Sequence, residues 1–269
     1  MEKLLVFIPA YNCEKQVTRV LSQLLDESVR PWVGECIVVN NRSTDGTEQA
    51  AAVWAGEHPE IPVSVLRNRE NYGLGGSHKV AFEYAIEHDY EHIVVLHGDD
   101  QGSIRDLLPI LASGEYLQYD CCLGSRFLKG SELGGYSRLR IFGNLCFNLI
   151  YSLTTLRRVT DLGSGLNLYK VEPLKTRYYH HLPDTIYFNA CILLSQYAQK
   201  MKISYFPISW REEDQVSNAK LVNLSANLLK LCGVYLKGKN AFVTREWRKK
   251  IIDKYESDVV ASNREGENK

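Results

Sequence analysis

The sequence lacks the features that mark several function classes. It has no excess charge of either sign, because Lys+Arg and Asp+Glu both number 32. General nucleic-acid binders are usually basic, so the composition gives no support for nucleic acid as a partner. Cysteine is sparse and oddly spaced: seven residues, no C-x-x-C pair, and only Cys121-Cys122 adjacent. That argues against a disulfide framework or a structural zinc site and fits reduced thiols. No apolar run is long enough to cross a bilayer. The longest candidate, Ile141 to Leu156, falls short of the roughly 18–20 apolar residues a span needs and contains Asn, Ser and Thr. The N-terminal run Leu4 to Ile8 is stopped by Pro9, too early for a secretory signal. No internal repeat and no low-complexity linker is present. The expected location is cytoplasmic, with at most a peripheral contact on the inner face of a membrane.

The pattern that is present belongs to an α/β fold. Leu4–Pro9, Cys36–Asn40, Pro62–Arg67, His92–His97 and Tyr119–Gly124 read as short buried strands. Between them, Glu14 to Leu25, Thr44 to Trp54, Gly76 to Ile86 and Ile104 to Leu111 read as helices. Such alternation predicts a mostly parallel sheet with helices on both faces. After Gly124 the alternation breaks. Helices are expected near Arg138–Leu156, Thr185–Gln199 and Leu221–Leu236, with a strand at Lys202–Ile208. The expected organisation is a catalytic unit over 1–220, an amphipathic helical extension over 221–256, and a polar, disordered tail over 257–269.

In open α/β sheets, ligands bind at the carboxyl ends of the strands. The polar clusters fall there: Pro9-Ala10-Tyr11-Asn12, Asn40-Asn41-Arg42-Ser43-Thr44-Asp45-Gly46-Thr47, Asn71-Tyr72-Gly73-Leu74-Gly75-Gly76 and His97-Gly98-Asp99-Asp100-Gln101. In an extended segment, His97, Asp99 and Gln101 face the same way. An imidazole, a carboxylate and an amide oxygen there suit a divalent cation, Mn²⁺ or Mg²⁺. The alternative is a polar turn in which Asp100 caps the next helix.

Taken in order, these clusters resemble the motifs of family 2 glycosyltransferases with the GT-A fold. Gly124-Ser125-Arg126-Phe127, Asp161-Leu162-Gly163-Ser164-Gly165, and Arg211 followed by Ser217 and Lys220 resemble the dolichyl-phosphate mannose synthase-like branch. The resemblance implies that Pro9, Tyr11, Asn12, Val39 and Asn41 hold the base and ribose of a nucleotide-diphosphate sugar, with Gly75 and Gly98 in the donor-binding loops. It implies Asp99 as the second acid of an Asp-x-Asp signature, on the metal, with Gln101 a further ligand. Arg126 would lie near the donor sugar or acceptor phosphate, and Arg211, Ser217 and Lys220 on phosphate oxygens. Departures accompany the match. His97 stands for the first Asp, Asn40-Asn41 for Asp-Asp, Cys13 for Glu, Leu166-Asn167 for Phe-Arg and Cys191 for an acid.

The implied chemistry is inverting transfer to a polyprenyl phosphate or a lipid-linked or saccharide acceptor. A sugar hydroxyl needs a general base, and Asp184 is the best placed acid; it also reads as a helix N-cap. A phosphate acceptor needs none. The alternative function is a degenerate nucleotide-sugar-binding scaffold subunit without turnover. Two amphipathic stripes, one through Ile141, Phe142, Leu145, Cys146, Leu149, Ile150 and Leu153 and one through Leu221, Leu224, Leu228, Leu231 and Tyr235, are flanked by cations. They either pack on the core or lie on an anionic membrane.

Overall fold

The structure is a computed structural model that describes residues 3–212 and 221–264. Continuous apolar runs form strands hidden on both faces. The first half runs β1 (Leu4–Ala10), α1 (Glu14–Ser22), β2 (Val33–Asn40), α2 (Thr47–Glu57), β3 (Val63–Asn68), α3 (Gly73–Glu87) and β4 (His92–Leu96). Then come α4 (Leu108–Ala112), β5 (Cys121–Ser125), β6 (Leu133–Gly134), α5 (Arg138–Thr155), β7 (Leu166–Lys170), α6 (Val171–Leu174) and α7 (Phe188–Ala198). The remainder is β8 (Ile203–Pro207), β9 (Trp210–Arg211), α8 (Leu221–Lys237), α9 (Lys239–Thr244) and β10 (Ser257–Ser262).

Among the described residues the main sheet has the order β10-β3-β2-β1-β4-β7-β5-β8. β1 pairs in parallel with β2 and β4, and β2 with β3. Alternate side chains of one strand go to opposite layers. Leu5 and Phe7 join α3, α7, α8 and α9 in one core, while Leu4, Val6 and Ile8 join α1 and α2 in the other. This two-sided burial explains why the strands read as unbroken apolar runs.

Three sequence expectations change. β7 lies between β4 and β5 and is antiparallel to both. Its segment, Leu166-Asn167-Leu168-Tyr169-Lys170, runs against both neighbours and is followed only by the four-residue α6, so the βαβ rhythm does not reveal it. The 221–256 segment, expected as an amphipathic extension, packs into the fold: Leu231, Cys232, Tyr235, Phe242 and Tyr255 are buried in the α3–α7 core. The tail is not wholly disordered, because Ser257–Ser262 forms β10, antiparallel to β3 at the sheet edge. Beyond it, Asn263 accepts from the Val63 amide at 2.7 Å and donates to the carbonyls of Ala55 and Ile61. Arg264 reaches the buried Glu35 carboxylate at 3.1 Å, which also accepts from Tyr84 and Tyr90 hydroxyls at 2.7 Å. This short edge strand is held by ladder bonds, by Val260 and Ala261 against the core, and by the Arg69–Asp258 and Arg264–Glu35 ion pairs, too little of it apolar to read as a strand in the sequence.

If β10 is structural, a chain ending at Glu256 exposes the β3 edge and leaves Glu35 without its cation. Its thermal midpoint should fall by several degrees, at roughly 2–4 °C per kcal/mol for a chain of this size. An unchanged midpoint would mean that the strand contributes nothing.

Candidate active site

The carboxyl ends of β1, β2, β3 and β4 bring four polar loops to one edge, and Asn41 ties three of them. Its amide nitrogen donates to the Ala10 carbonyl at 2.9 Å. Its side-chain oxygen accepts from Asn68 Nδ2 at 3.0 Å and from the Tyr72 amide at 2.8 Å, and its Nδ2 donates to Asn71 Oδ1 at 2.8 Å. Asn12, at φ 51, joins the first loop to the second: its Oδ1 accepts from the Thr44 amide at 2.8 Å, and its own amide donates to Ser43 at 3.0 Å. Asn tolerates this left-handed backbone better than most residues. Asn40 braces the same loop by accepting from the Ser43 amide at 2.9 Å. The Asn40-Asn41 pair therefore works through its amides, which both donate and accept, where carboxylates only accept.

The fourth loop docks on the first. The Gly98 amide donates to the Pro9 carbonyl at 3.2 Å, and a Cβ on Gly98 would lie 2.9 Å from that oxygen. Asp99 and Asp45 both act on the buried Cys13 thiol, which burial above all pushes up to about 11. Loops one, two and four thus converge on Cys13, whose amide donates to Thr47 Oγ1 at 2.8 Å and whose sulfur would lie 3.3 Å from a Cβ on Gly98. Arg211 lies beside this loop: its amide donates to the Gln101 carbonyl at 2.9 Å, and its exposed guanidinium is 3.7 Å from Asp100. Asp100 does not cap the next helix. It binds Arg19 at 2.7 Å and Gln23 at 3.2 Å.

Two sequence-predicted residues are placed differently. The alternation that aligned His97 with Asp99 and Gln101 ends with β4 at Leu96, and Asp100 has φ 57, so the three do not share a strand face. His97 Nε2 is shut off from solvent with no partner, and the ring passes so close to Gly165 that a Cβ there would be 2.9 Å from Cγ. Burial lowers His97 to about 4, with Arg126 adding to the effect, and lowers its neighbour His78 to about 3, so both are neutral at pH 7. Val39 is the second. Its side chain is fully buried and its backbone pairs with Pro9 and Leu66, so it is core under the loop rather than a ligand contact. Pro9 is half-buried within β1, Tyr11 is exposed beside it, and Gly75 donates its amide to the Asp184 carbonyl at 2.8 Å. Ser217 and Lys220 lie outside the described residues.

Arg126 is engaged internally. Its Nε and Nη2 donate to the two oxygens of Asp161, both at 2.8 Å, and Nη1 reaches Tyr136 at 3.3 Å. The guanidinium also lies 5.2 Å from the centroid of the Trp210 ring. Burial alone would pull its pKa down, and the Asp161 carboxylate more than reverses that. This forked pair clamps the Gly124–Phe127 segment to the Asp161–Gly165 loop, which in turn accepts the His97 amide on the Gly165 carbonyl at 2.9 Å.

Sequence reasoning missed a third buried ion pair. Lys79 is fully buried on α3 and donates to Asp184 Oδ1 at 2.7 Å, the Leu182 carbonyl at 2.7 Å and Tyr255 Oη at 3.1 Å. Burial lowers it to about 8 against the opposing pull of Asp184. Tyr255 donates to the same Asp184 oxygen at 2.8 Å. Asp184 is not an N-cap, since α7 begins at Phe188. The available signal was a lysine among the glycine and apolar positions of an otherwise buried helix.

With the geometry in place, the chain can be compared with known proteins. Residues 5–177 match the Glycosyl transferase family 2 profile. This chain belongs to glycosyl transferase family 2. An undecaprenyl-phosphate mannosyltransferase of Micrococcus luteus is 25% identical over 173 residues, covering 64% of this glycosyltransferase and 68% of that protein. A dolichyl-phosphate beta-glucosyltransferase of Trichomonas vaginalis is 22% identical, covering 83% and 69%. Among solved structures, a mannosyltransferase from Pyrobaculum calidifontis in complex with GDP-Man and Mn²⁺ has TM-score 0.59 at 17% identity, over 90% of this chain and 71% of that one. Glucosyl-3-phosphoglycerate synthase from Mycobacterium tuberculosis in complex with UDP gives 0.58 at 19%, over 86% and 80%. The structural likeness fixes the GT-A-like α/β fold of this glycosyltransferase.

The clamp gives a sharp stability test. Asp161→Ala strands a buried guanidinium and should cost about 3–5 kcal/mol in denaturant unfolding, as breaking one side of a buried pair does. A loss below about 1 kcal/mol would remove the clamp. The buried imidazoles give a pH test. Below the ordinary histidine pKa of 6.5 the unfolded chain takes up protons that native His78 and His97 refuse until about 3 and 4. Their contribution is complete above pH 6.5 and is lost as pH falls toward 4, at about 1.4 kcal/mol per pH unit for each. His78→Leu should flatten the wild-type fall in stability between pH 6.5 and 4.5, and an equally steep fall would contradict this.

Proposed function

We propose that this glycosyltransferase moves a sugar, with inversion, from a nucleotide-diphosphate donor to a lipid-phosphate acceptor of the polyprenyl type. The crevice among the four loops is the donor site. Tyr11 offers an exposed ring beside β1 for a base, and Asn12 and the 41–47 loop offer amides and hydroxyls for a ribose. Asp99 and Gln101 face the diphosphate, and Arg211 balances charge on the departing nucleoside diphosphate, with Lys220 and Ser217 assigned there by the family pattern alone.

Among the described residues no three His, Cys, Asp or Glu side chains gather to hold a metal. Asp99, with Gln101, would hold a cation there; the Nε2 of His97, shut off from solvent, is closed to it. When bound, Mn²⁺ or Mg²⁺ would supply neutralisation of charge on the leaving diphosphate.

The observation that carries the acceptor reading is the state of Asp184. Its Oδ1 takes both the Lys79 ammonium and the Tyr255 hydroxyl, which makes it a structural anchor of the 182–185 segment rather than a base held ready for a sugar hydroxyl. A phosphate acceptor arrives already as an anion and needs no base. Relatives named as acting on undecaprenyl and dolichyl phosphate support the same choice. Arg126, spent on Asp161, shapes this side of the crevice.

Transfer of labelled sugar to a short polyprenyl phosphate, across a panel of nucleotide sugars with Mn²⁺, tests the reading. Asp99→Ala should lower kcat/KM by at least about a hundredfold. Wild-type protein that binds a donor yet never transfers it would favour the scaffold reading. Asp184→Asn should keep kcat within about tenfold, whereas losing a general base costs about 10²–10⁴-fold. A loss in that larger range, with folding intact, would return Asp184 to proton transfer and favour a sugar-hydroxyl acceptor.

A further inference from the structure

The two amphipathic stripes have opposite fates. α8 turns Leu231 and Tyr235 into the core. α5 is inverted. Its buried side carries Asn148, Tyr151, Thr154 and Thr155, whose polar atoms are satisfied internally: Asn148 donates to the Thr160 carbonyl at 2.6 Å, Tyr151 to the Leu228 carbonyl at 3.1 Å, and Thr155 to the Tyr151 carbonyl at 2.8 Å. Its outer side carries Phe142, Leu145, Leu149, Leu153 and Leu156, which are 66%, 46%, 60%, 65% and 83% exposed. At about 100° per residue the four within α5 fall within roughly a quarter of the helix circumference, and Leu156 follows at the C-cap. Folding gains nothing from leucines left in water, so this face is kept for something outside the chain.

Charge identifies the occupant. Immediately after Leu156 come Arg157 and Arg158, which with Lys200 and Lys202 line one cleft of about 520 Å³. The lining contains no Asp or Glu, and Tyr119, Tyr197 and Tyr205 are among its other walls. Among the described residues none of these four cations has a carboxylate within ion-pair distance, although ion pairs are common elsewhere on the surface. A second copy of this chain would bring the same cations and meet them with repulsion. An anionic bilayer offers acyl chains to the stripe and phosphates to the cleft. No helix among the described residues is long and apolar enough to cross a membrane, so α5 would lie in the interface.

We infer that the outer face of α5 seats this protein on an anionic membrane surface and that the Arg157–Arg158–Lys200–Lys202 cleft takes lipid-headgroup phosphate. Neither part uses a residue of the donor crevice, so the inference stands apart from the sugar chemistry.

The test is co-sedimentation of the full chain with phosphatidylcholine vesicles, with and without about 30 mol% phosphatidylglycerol. Wild type should pellet with the anionic vesicles and be released by added salt. Leu149→Asp with Leu153→Asp should lower partitioning at least about tenfold. Arg157→Ala with Lys200→Ala should lower it about fivefold per cation and remove the preference for phosphatidylglycerol. Val53→Asp, at an exposed apolar position on α2 away from α5 and the cleft, should change nothing. Donor binding should be equal in all of these variants, which separates this result from failure of the transferase reading. The inference is overturned if wild type ignores anionic vesicles, if the double Asp variant binds as wild type does, or if the leucine changes instead split a dimer seen in light scattering. Equal binding of the double Ala variant to both vesicle types at wild-type strength would overturn the headgroup cleft.

Discussion

Everything at the carboxyl edge of the sheet depends on one buried amide. Asn41 uses its backbone and both side-chain heteroatoms to hold the ends of β1, β3 and the loop opening α3 in one plane. A buried polar group of this kind stabilises only when all its partners are present, and it then admits a single arrangement of the loops. An aspartate could accept the Asn68 and Tyr72 bonds but could not donate to Asn71. The departure from the family's acid pair is thus compatible with a well-ordered crevice, built from loops that run into the first turns of α2 and α3.

A second layer of buried charge supports the far side of that crevice. Arg126 with Asp161 fixes the loop that covers the end of β4, and Lys79 with Asp184 and Tyr255 fixes the segment that packs on Gly73 and Gly75. Such pairs add little net stability compared with apolar packing, but each is costly to break, and that asymmetry suits a site in which position matters more than overall stability. Tyr255 also draws the C-terminal segment into the site's foundations, so the sequence past 221 is part of the catalytic unit's construction.

The parallel half of the fold was legible because two-sided burial writes itself as apolar runs, and the four crevice loops followed from where those runs stop. The family motifs pointed to Asn41, Asp99 and Arg211, which the fold carries at or beside the loops on the sheet's carboxyl edge. What was not legible had local geometry or distant partners as its cause. His97 was misjudged because a left-handed residue at Asp100 ends the alternation that sequence spacing assumes. Val39 was misjudged because a strand's last ligand-facing residue differs from its last core residue by only two positions. β7 and β10 escaped because one runs antiparallel to both its neighbours, outside the βαβ rhythm, and the other is a mixed edge strand anchored by Asn263 and Arg264 to partners nearly the whole chain away. The inverted face of α5 was visible as a stripe, but whether a stripe points in or out depends on where its polar residues find partners.

The central claim is that these four loops form one donor-binding surface. Amide hydrogen exchange with and without a nucleotide-diphosphate sugar and Mn²⁺ tests it directly, because bound donor protects the backbone it orders. Protection should appear together in residues 10–12, 41–47, 71–76 and 97–101, and not along α5 or the Arg157–Lys202 cleft. Protection confined to one loop, or located at that cleft instead, would contradict the account.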